Sequence, residues 1–391
     1  MSEAVTGRDT ETLRAAADLA AAGAPAADTT GSLAPDTVAA LAAAGFAGSF
    51  APQRWGGAGA TFDTVTQAVA AIGEGCTSAA WIASLWAYNG RFTAYLPAEG
   101  RQEVWSKGAD TRCVSSMVAA GVTADPVDGG WSLSGTWLYV SGVEFADWAL
   151  VSSAPPREGD RSVRVFAVPK DSFTYRETWD TLGMRATGSH TLAVDGAFVP
   201  ESRTFLWDDM RQGILPEPET EPEPERAVRP GVEPGPSSAV HAAPLFAVNG
   251  LTFAAPILGA ARGALRLVEE HLAKQPTKAR AAARESSRIA FTRAAGEIDA
   301  AALLLSRVAA TADSGLLAEE GAAERSHRDS TLAVEILVGA VDRLFRVTGT
   351  RGQAASHAMQ RIWRDVHGAG SHAALQFEAA ALAYTQRLVA A

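Results

Sequence analysis

Leu182 to Pro200 reads LGMRATGSHTLAVDGAFVP, and this stretch decides the fold. Its first half, Gly183 to His190, is rich in Gly, Ser and Thr, the composition of a tight turn. Its second half, Thr191 to Val199, is a strand candidate. Upstream, Trp131 to Tyr139 (WSLSGTWLY) and Ser162 to Val168 (SVRVFAV) alternate roughly in twos, and Trp148 to Val151 is a further short candidate. Gly, Pro and Asp separate these runs. A β region therefore occupies the middle of the chain, residues 109–210.

Helical texture lies on both sides of it. In residues 1–108, Asp36 or Ser32 can cap a helix that Gly45 stops. Phe62, Val65, Val69 and Ile72 have helical spacing over Phe62 to Gly73. Thr77 to Tyr95 carries Trp81, Ile82, Leu85, Trp86, Tyr88 and Phe92 on several faces, the pattern of a helix buried on more than one side. In residues 245–391, Phe291, Ile298 and Leu305 recur every seven residues, and Val334, Val338, Val341 and Phe345 keep one face. Such helices form a bundle. Helices, then strands, then helices predict an α+β chain with segregated regions rather than alternating βαβ units. Residues 211–244 are set apart as a loop, linker or lid. Residues 211–240 hold seven of the 19 prolines, and six Glu against three Arg.

Composition narrows the function. The chain has 391 residues and a formal net charge of −10, which disfavours a dedicated nucleic-acid binder or a polybasic membrane anchor. Cys76 and Cys113 are the only cysteines and have no partner at ligand spacing, so no metal site or disulfide framework is expected. No signal peptide and no run of 18 strongly apolar residues is read, so the expectation is a soluble cytoplasmic protein. There is no GxGxxG, Walker loop, GxSxG or HExxH.

Three places carry possible chemistry. Gly135 to Gly142 (GTWLYVSG) is an aromatic strand ending in Ser-Gly. Alone it reads as a core strand and turn; the alternative is a ligand approaching the backbone beside a hydroxyl. Gly183 to His190 is the second place. The third is Arg361 to His372 (RIWRDVHGAGSH). On a helix, His367 and His372 would lie about 140° apart. They read either as surface histidines or as one acid/base facing a cleft.

Taken together, PQRWGGAG at 52–59, GTWLYVSG at 135–142, LGMRATGSHTLAVDGAFVP at 182–200 and RIWRD at 361–365 resemble the acyl-CoA dehydrogenase superfamily. The resemblance implies an N-terminal helical domain, a central β-barrel or sandwich and a C-terminal four-helix bundle. One branch takes its base from a Glu eight residues beyond the Asp of Arg-Asp; here that position is Ala373, preceded by His372. This His, SAAWI at 78–82 and the Ser141-Gly142 ending are similar to the flavin-dependent monooxygenases of the same fold. These are oxygenase components of two-component systems, such as the para-hydroxyphenylacetate and secosteroid hydroxylases and dibenzothiophene monooxygenase, with relatives in antibiotic biosynthesis and secondary metabolism.

The resemblance implies reduced FMN or FAD as cofactor, O2 as co-substrate, a separate flavin reductase as partner, and a homotetramer. It implies hydroxylation of a bulky, aromatic small molecule through a C4a-hydroperoxyflavin. Ser141 falls beside flavin N5 and Gly142 next to it; Ser116, 25 residues earlier, is another flavin contact, and Tyr139 lies by the ring. Gly349 and Gly352 fall in the loop that reaches a neighbouring subunit's flavin. Trp81, Trp86 and Asn89 fall on the helix lining the substrate cleft, Asn89 where some phenol hydroxylases have a His. His372 falls at the substrate's reacting group, to deprotonate or orient it. Three alternatives stay open: an acyl-CoA dehydrogenase with a relocated base, an N-hydroxylase of an amine, and a flavin-less scaffold of this fold.

Overall fold

Sidedness in the helices and alternation in the strands sort the chain into two kinds of layer. A computed structural model describes residues 10–155, 161–216, 237–274 and 281–389. Five helices come first: α1 (Thr10–Thr30), α2 (Pro35–Ala43), α3 (Phe62–Gly73), α4 (Thr77–Thr93) and α5 (Ala98–Val104). α1 buries only alanines, Ala16, Ala20, Ala24 and Ala27, which repeat at helical spacing and let its backbone approach its neighbours. α2 is not capped by Ser32 or Asp36. Ala34 is its N-cap residue and Pro35 presets its first turn, while Ser32 donates to Glu144 Oε1 at 2.7 Å. α3 covers the expected span, and its N-cap Thr61 accepts from Thr64 N.

Among the described residues eight strands follow: β1 (Cys113–Ser116), β2 (Ala119–Val127), β3 (Gly130–Val140), β4 (Trp148–Ser152), β5 (Arg164–Pro169), β6 (Thr174–Arg176), β7 (His190–Pro200) and β8 (Thr204–Leu206). They form two four-stranded sheets, β1-β4-β5-β8 and β2-β3-β7-β6. β1 and β4 are parallel and the other pairs antiparallel. Val114, Val151, Phe166 and Val168 of one sheet meet Leu133, Trp137, Leu192 and Val194 of the other in one apolar cluster, so the region is a sandwich. β3 slips register against β7 between Trp137 and Val140. Tyr139 sits in that bulge with φ 61°, which turns its ring out of the sheet.

The remaining helices are α6 (Trp207–Gln212), α7 (Ser237–Ala242), α8 (Leu245–Ala273), α9 (Ala281–Asp313), α10 (Ala322–Gly352), α11 (Ala358–Gly370) and α12 (Phe377–Val389). The lid expected within 211–244 falls largely on 217–236, outside the described residues; its flanks belong to α6 and α7. Ile298, Leu305, Val334 and Val341 are buried between α9 and α10, as their spacing requires. α8 meets the length and composition of a membrane-crossing helix, against the expectation of no such apolar run. Yet 83% of its most apolar window is buried inside the molecule. It is apolar all round because α3, α4, α9, α10 and α11 surround it. One apolar cluster runs from Ala16 through Trp81 and Phe253 to Leu375, so helices from both ends of the chain share a core.

Candidate active site

α4 and α8 each turn one stripe into a shared space. On α4 the stripe is Trp81, Leu85, Tyr88, Asn89 and Phe92; on α8 it is Leu245, Asn249, Thr252 and Phe253. Both follow i, i+4, i+7, i+8 spacing. Ser84 Oγ ties the two helices by donating to Thr252 O at 2.6 Å. The end of β1, the end of β3, the 184–189 loop and the turn after α11 close a cavity of about 610 Å³.

Trp86 does not line this cavity. Five residues beyond Trp81 on a helix is about 140° away, so its ring is fully buried instead. It lies under the Arg112 guanidinium, 5.9 Å from its ring, and its Nε1 has no partner among the described residues. The sequence expectation of a substrate contact is corrected accordingly. Gly142 is also absent from the wall. Its φ is +69°, and a Cβ there would stand 2.9 Å from Ile82 Cδ1. The close approach that requires glycine comes from α4.

Ser141 does line the cavity and stands in a hydroxyl chain. Its Oγ accepts from Trp81 Nε1 at 3.2 Å and lies 2.7 Å from Ser189 Oγ. Ser189 Oγ is 2.7 Å from Thr187 Oγ1, which donates to Met184 O at 2.9 Å. Ser116 lines the wall too, but its hydroxyl donates to Leu138 O at 2.7 Å and accepts from Val118 N at 3.2 Å, fastening β1 to β3. Tyr139 is 61% exposed, an unusual state for a large ring, and meets Trp179 edge-on at 6.2 Å. Asn89 is buried; its Nδ2 donates to Cys113 O at 3.1 Å and its Oδ1 accepts from Ser115 Oγ at 2.8 Å.

α11 ends at Gly370, so His372 is not on a helix with His367. His372 is the N-cap of the short 3-10 turn Ala373–Leu375, and its Nδ1 accepts from Ala374 N at 3.2 Å. The ring stacks on Phe253 and meets Trp81 edge-on, 5.8 Å between centroids. Burial pushes its pKa down to about 4. The site therefore presents a neutral imidazole whose free nitrogen, Nε2, carries the proton. That geometry suits orientation of a substrate oxygen by donation rather than removal of its proton. His367 faces away, 2.9 Å from Asp342 Oδ1.

The supports of this wall carry no motif in the sequence. Met184, at φ 57°, gives its N–H to Asp365 Oδ1 at 2.6 Å. Burial raises the Asp365 carboxyl to about 6. Trp179 Nε1 donates to Met184 O at 2.9 Å. Thr187 and Ser189 lie in the second of the three places, where composition favours a turn, and Phe253 and Asn249 lie in a stretch with no motif. Gly349 and Gly352 do not line this chain's cavity; Gly349, with φ 57° and ψ −149°, breaks the end of α10. Cys76 and Cys113 are free and buried, their thiols pushed up by burial to about 11 and about 12. Among the described residues no group of three His, Cys, Asp or Glu could hold a metal ion.

The residues present fit a flavin ring. A large exposed aromatic face at Tyr139, a neighbouring hydroxyl at Ser141 and an apolar space behind them are what a flat, polar-edged heterocycle needs.

Comparison with known proteins bears on the family of the chain. The acyl-CoA dehydrogenase C-terminal domain family matches residues 251–377. The chain is 30% identical over 358 residues to the oxygenase subunit HsaA, a flavin-dependent monooxygenase of Rhodococcus jostii, covering 89% of this chain and 90% of that one. It is 29% identical to the oxygenase component of the FADH2-dependent resorcinol hydroxylase of a Rhizobium species, covering 88% and 84%. The crystal structure of 3-HSA hydroxylase from a Rhodococcus species superposes with a TM-score of 0.84 at 27% identity, covering 97% of this chain and 96% of that one. The alternative readings as dehydrogenase, N-hydroxylase or scaffold are not favoured by these relatives. The chain belongs to the flavin-dependent monooxygenases of the acyl-CoA dehydrogenase fold, as an oxygenase component that works on reduced flavin and O2.

Proposed function

We propose that this oxygenase hydroxylates an uncharged, bulky aromatic compound, with phenols and fused rings as the substrate class. One observation carries the reading: among the described residues, no Asp, Glu, Lys or Arg lines the cavity. A carboxylate or an ammonium entering it would be buried without a partner, at a cost of several kcal/mol. The missing carboxylate also leaves an acyl-CoA substrate without its base, and a protonated amine without its counter-charge. A relative named for hydroxylating resorcinol, a neutral ring compound, supports this class.

When bound, reduced FMN or FAD supplies two electrons and the site where O2 is activated. The chain's own residues position and exclude. Tyr139 would form one wall against a bound flavin, and Ser141 would stand beside its N5. Ser116 and Gly142 hold the backbone on either side of them. Trp81, Phe253 and Leu85 keep water from the reacting edge. His372 donates from Nε2 to the substrate's oxygen, and Asn89 borders the substrate from α4. A separate reductase provides the reduced flavin, consistent with relatives named as oxygenase components. A homotetramer is proposed as the working form, with Gly349 and Gly352 reaching a neighbour's flavin. Exposed Ile289, Leu303 and Leu382 on α9 and α12 support such assembly. The three regions 1–108, 109–210 and 245–391 then act as one catalytic unit.

The test is a matched pair of substrates on the same ring, one neutral and one bearing a carboxylate, offered with reduced flavin and O2. The neutral compound is expected to give product, and the carboxylate to give hydrogen peroxide with binding at least about tenfold weaker. The reverse order overturns the proposal.

A further inference from the structure

The hydroxyl chain between Trp81 and Met184 has a fixed direction. Met184 O can only accept, so the hydroxyl hydrogen of Thr187 lies in their 2.9 Å contact. Thr187 has then spent its one hydrogen, and the 2.7 Å contact with Ser189 is donated by Ser189. Ser189 has likewise spent its own, and the 2.7 Å contact with Ser141 is donated by Ser141. At the other end, Trp81 Nε1 can only donate, and it does so into Ser141 Oγ at 3.2 Å. Ser141 is left with a lone pair and no hydrogen to offer the cavity.

That polarity matters to a flavin. N5 of a reduced flavin carries a hydrogen and donates; N5 of an oxidised flavin has only a lone pair and accepts. We propose that Thr187 and Ser189 are positioning residues that turn the Ser141 hydroxyl away from the cavity, so that the site selects reduced over oxidised flavin. The inference rests on the placement of Ser141 beside flavin N5. Turning the chain round would set the Thr187 lone pairs against Met184 O, a carbonyl that also accepts from Trp179 Nε1. Thr187 and Ser189 are both buried, so water does not readily replace a lost link. Met184 itself is held by Asp365, which fixes the acceptor end. An enzyme fed by a separate reductase gains from such selection, because spent flavin leaves and reduced flavin enters the same site.

The experiment measures binding of reduced and oxidised FMN and FAD to the full chain without O2, and takes the ratio of the two Kd values. Thr187→Val and Ser189→Ala cut the chain at different links and free the Ser141 hydrogen to face the cavity. Each is expected to lower the preference for reduced flavin by about fivefold to tenfold, the effect of one hydrogen bond. Tenfold reads as a shift of about 30 mV in the bound flavin's two-electron potential. Thr187→Ser keeps the chain and is expected to keep the ratio. A merely structural role would weaken both redox forms together and leave the ratio alone. If both cutting variants keep the wild-type ratio while Ser141→Ala lowers it, the relay is overturned and Ser141 stays at N5. If Ser141→Ala also leaves the ratio unchanged, the placement of Ser141 fails and the relay with it.

Discussion

His372 lies against the face of Phe253, with 3.9 Å between ring centroids and 30° between planes. The stack removes one side of the imidazole from water, and the Ala374 N–H fills Nδ1. Burial then holds the ring neutral down to about pH 4.

Product yield is therefore expected to show no His372 limb near pH 6.5, and to fall only as pH approaches 4. Yield per flavin oxidised, measured across the acid to neutral range, checks this. A limb near 6.5 that disappears in His372→Asn would instead make His372 a titrating base. His372→Ala is expected to bind reduced flavin normally and to lose product by about tenfold or more, with hydrogen peroxide in its place.

Asp365 and His372 bias stability in opposite directions as pH changes. The folded-state pKa of Asp365 is raised from 3.8 to about 6, so the folded state binds more protons in that window and stability falls as pH rises through it. His372 is lowered from 6.5 to about 4, so there the unfolded state binds more protons and stability falls as pH drops through that window. Asp365→Asn keeps an acceptor for Met184 N and removes the buried charge. Its melting temperature relative to wild type is expected to rise between about pH 4.5 and pH 7. A constant difference across that range would mean that Asp365 does not titrate as its burial requires.

Gly142→Ala should be destabilising for two separable reasons. The αL backbone, φ +69°, costs about 1–2 kcal/mol for a residue with a Cβ. The new methyl also meets Ile82 Cδ1 at 2.9 Å. Ile82→Val in the same chain removes that Cδ1 and should recover the steric part only. Unfolding free energies of the single and double variants measure the split. Full recovery would mean that the backbone at Gly142 is unstrained.

How much of this was legible in the sequence depends on what each residue had to signal. β3 and β7 were readable from their rough alternation, and β4 and β5, buried on both faces, as short apolar runs between turn residues. β2 was not, since most of its residues are exposed on both faces. α1 has no sequence signal, because a buried face of alanines among other alanines has no contrast. At the site, Ser141, Tyr139, Trp81 and His372 came through as types at familiar positions. Trp86 misled because an aromatic run does not say which ring faces the cavity. Thr187 and Ser189 were invisible as individuals: their roles follow from contact with Met184 and Ser141 across a turn, and no local pattern encodes that.

Asn89 separates a strut from a substrate contact. Its amide donates to Cys113 O and accepts from Ser115 Oγ, joining α4 to β1 under the cavity. Asn89→Ala leaves both partners unpaired and should cost about 1–3 kcal/mol of stability. Asn89→Asp keeps the acceptor for Ser115 but turns a carboxylate toward the Cys113 carbonyl, in a wall with no cation among the described residues. Its carboxyl should titrate above the ordinary range, because the protonated form can donate to Cys113 O and the ionised form cannot. The Asp variant is then most nearly wild type at acid pH and loses ground as pH rises through that raised pKa. Melting curves at pH 5 and pH 7.5 with product yields on the same samples read both roles. If Asn89→Ala melts like wild type yet loses product, Asn89 is a substrate contact and the strut reading is wrong.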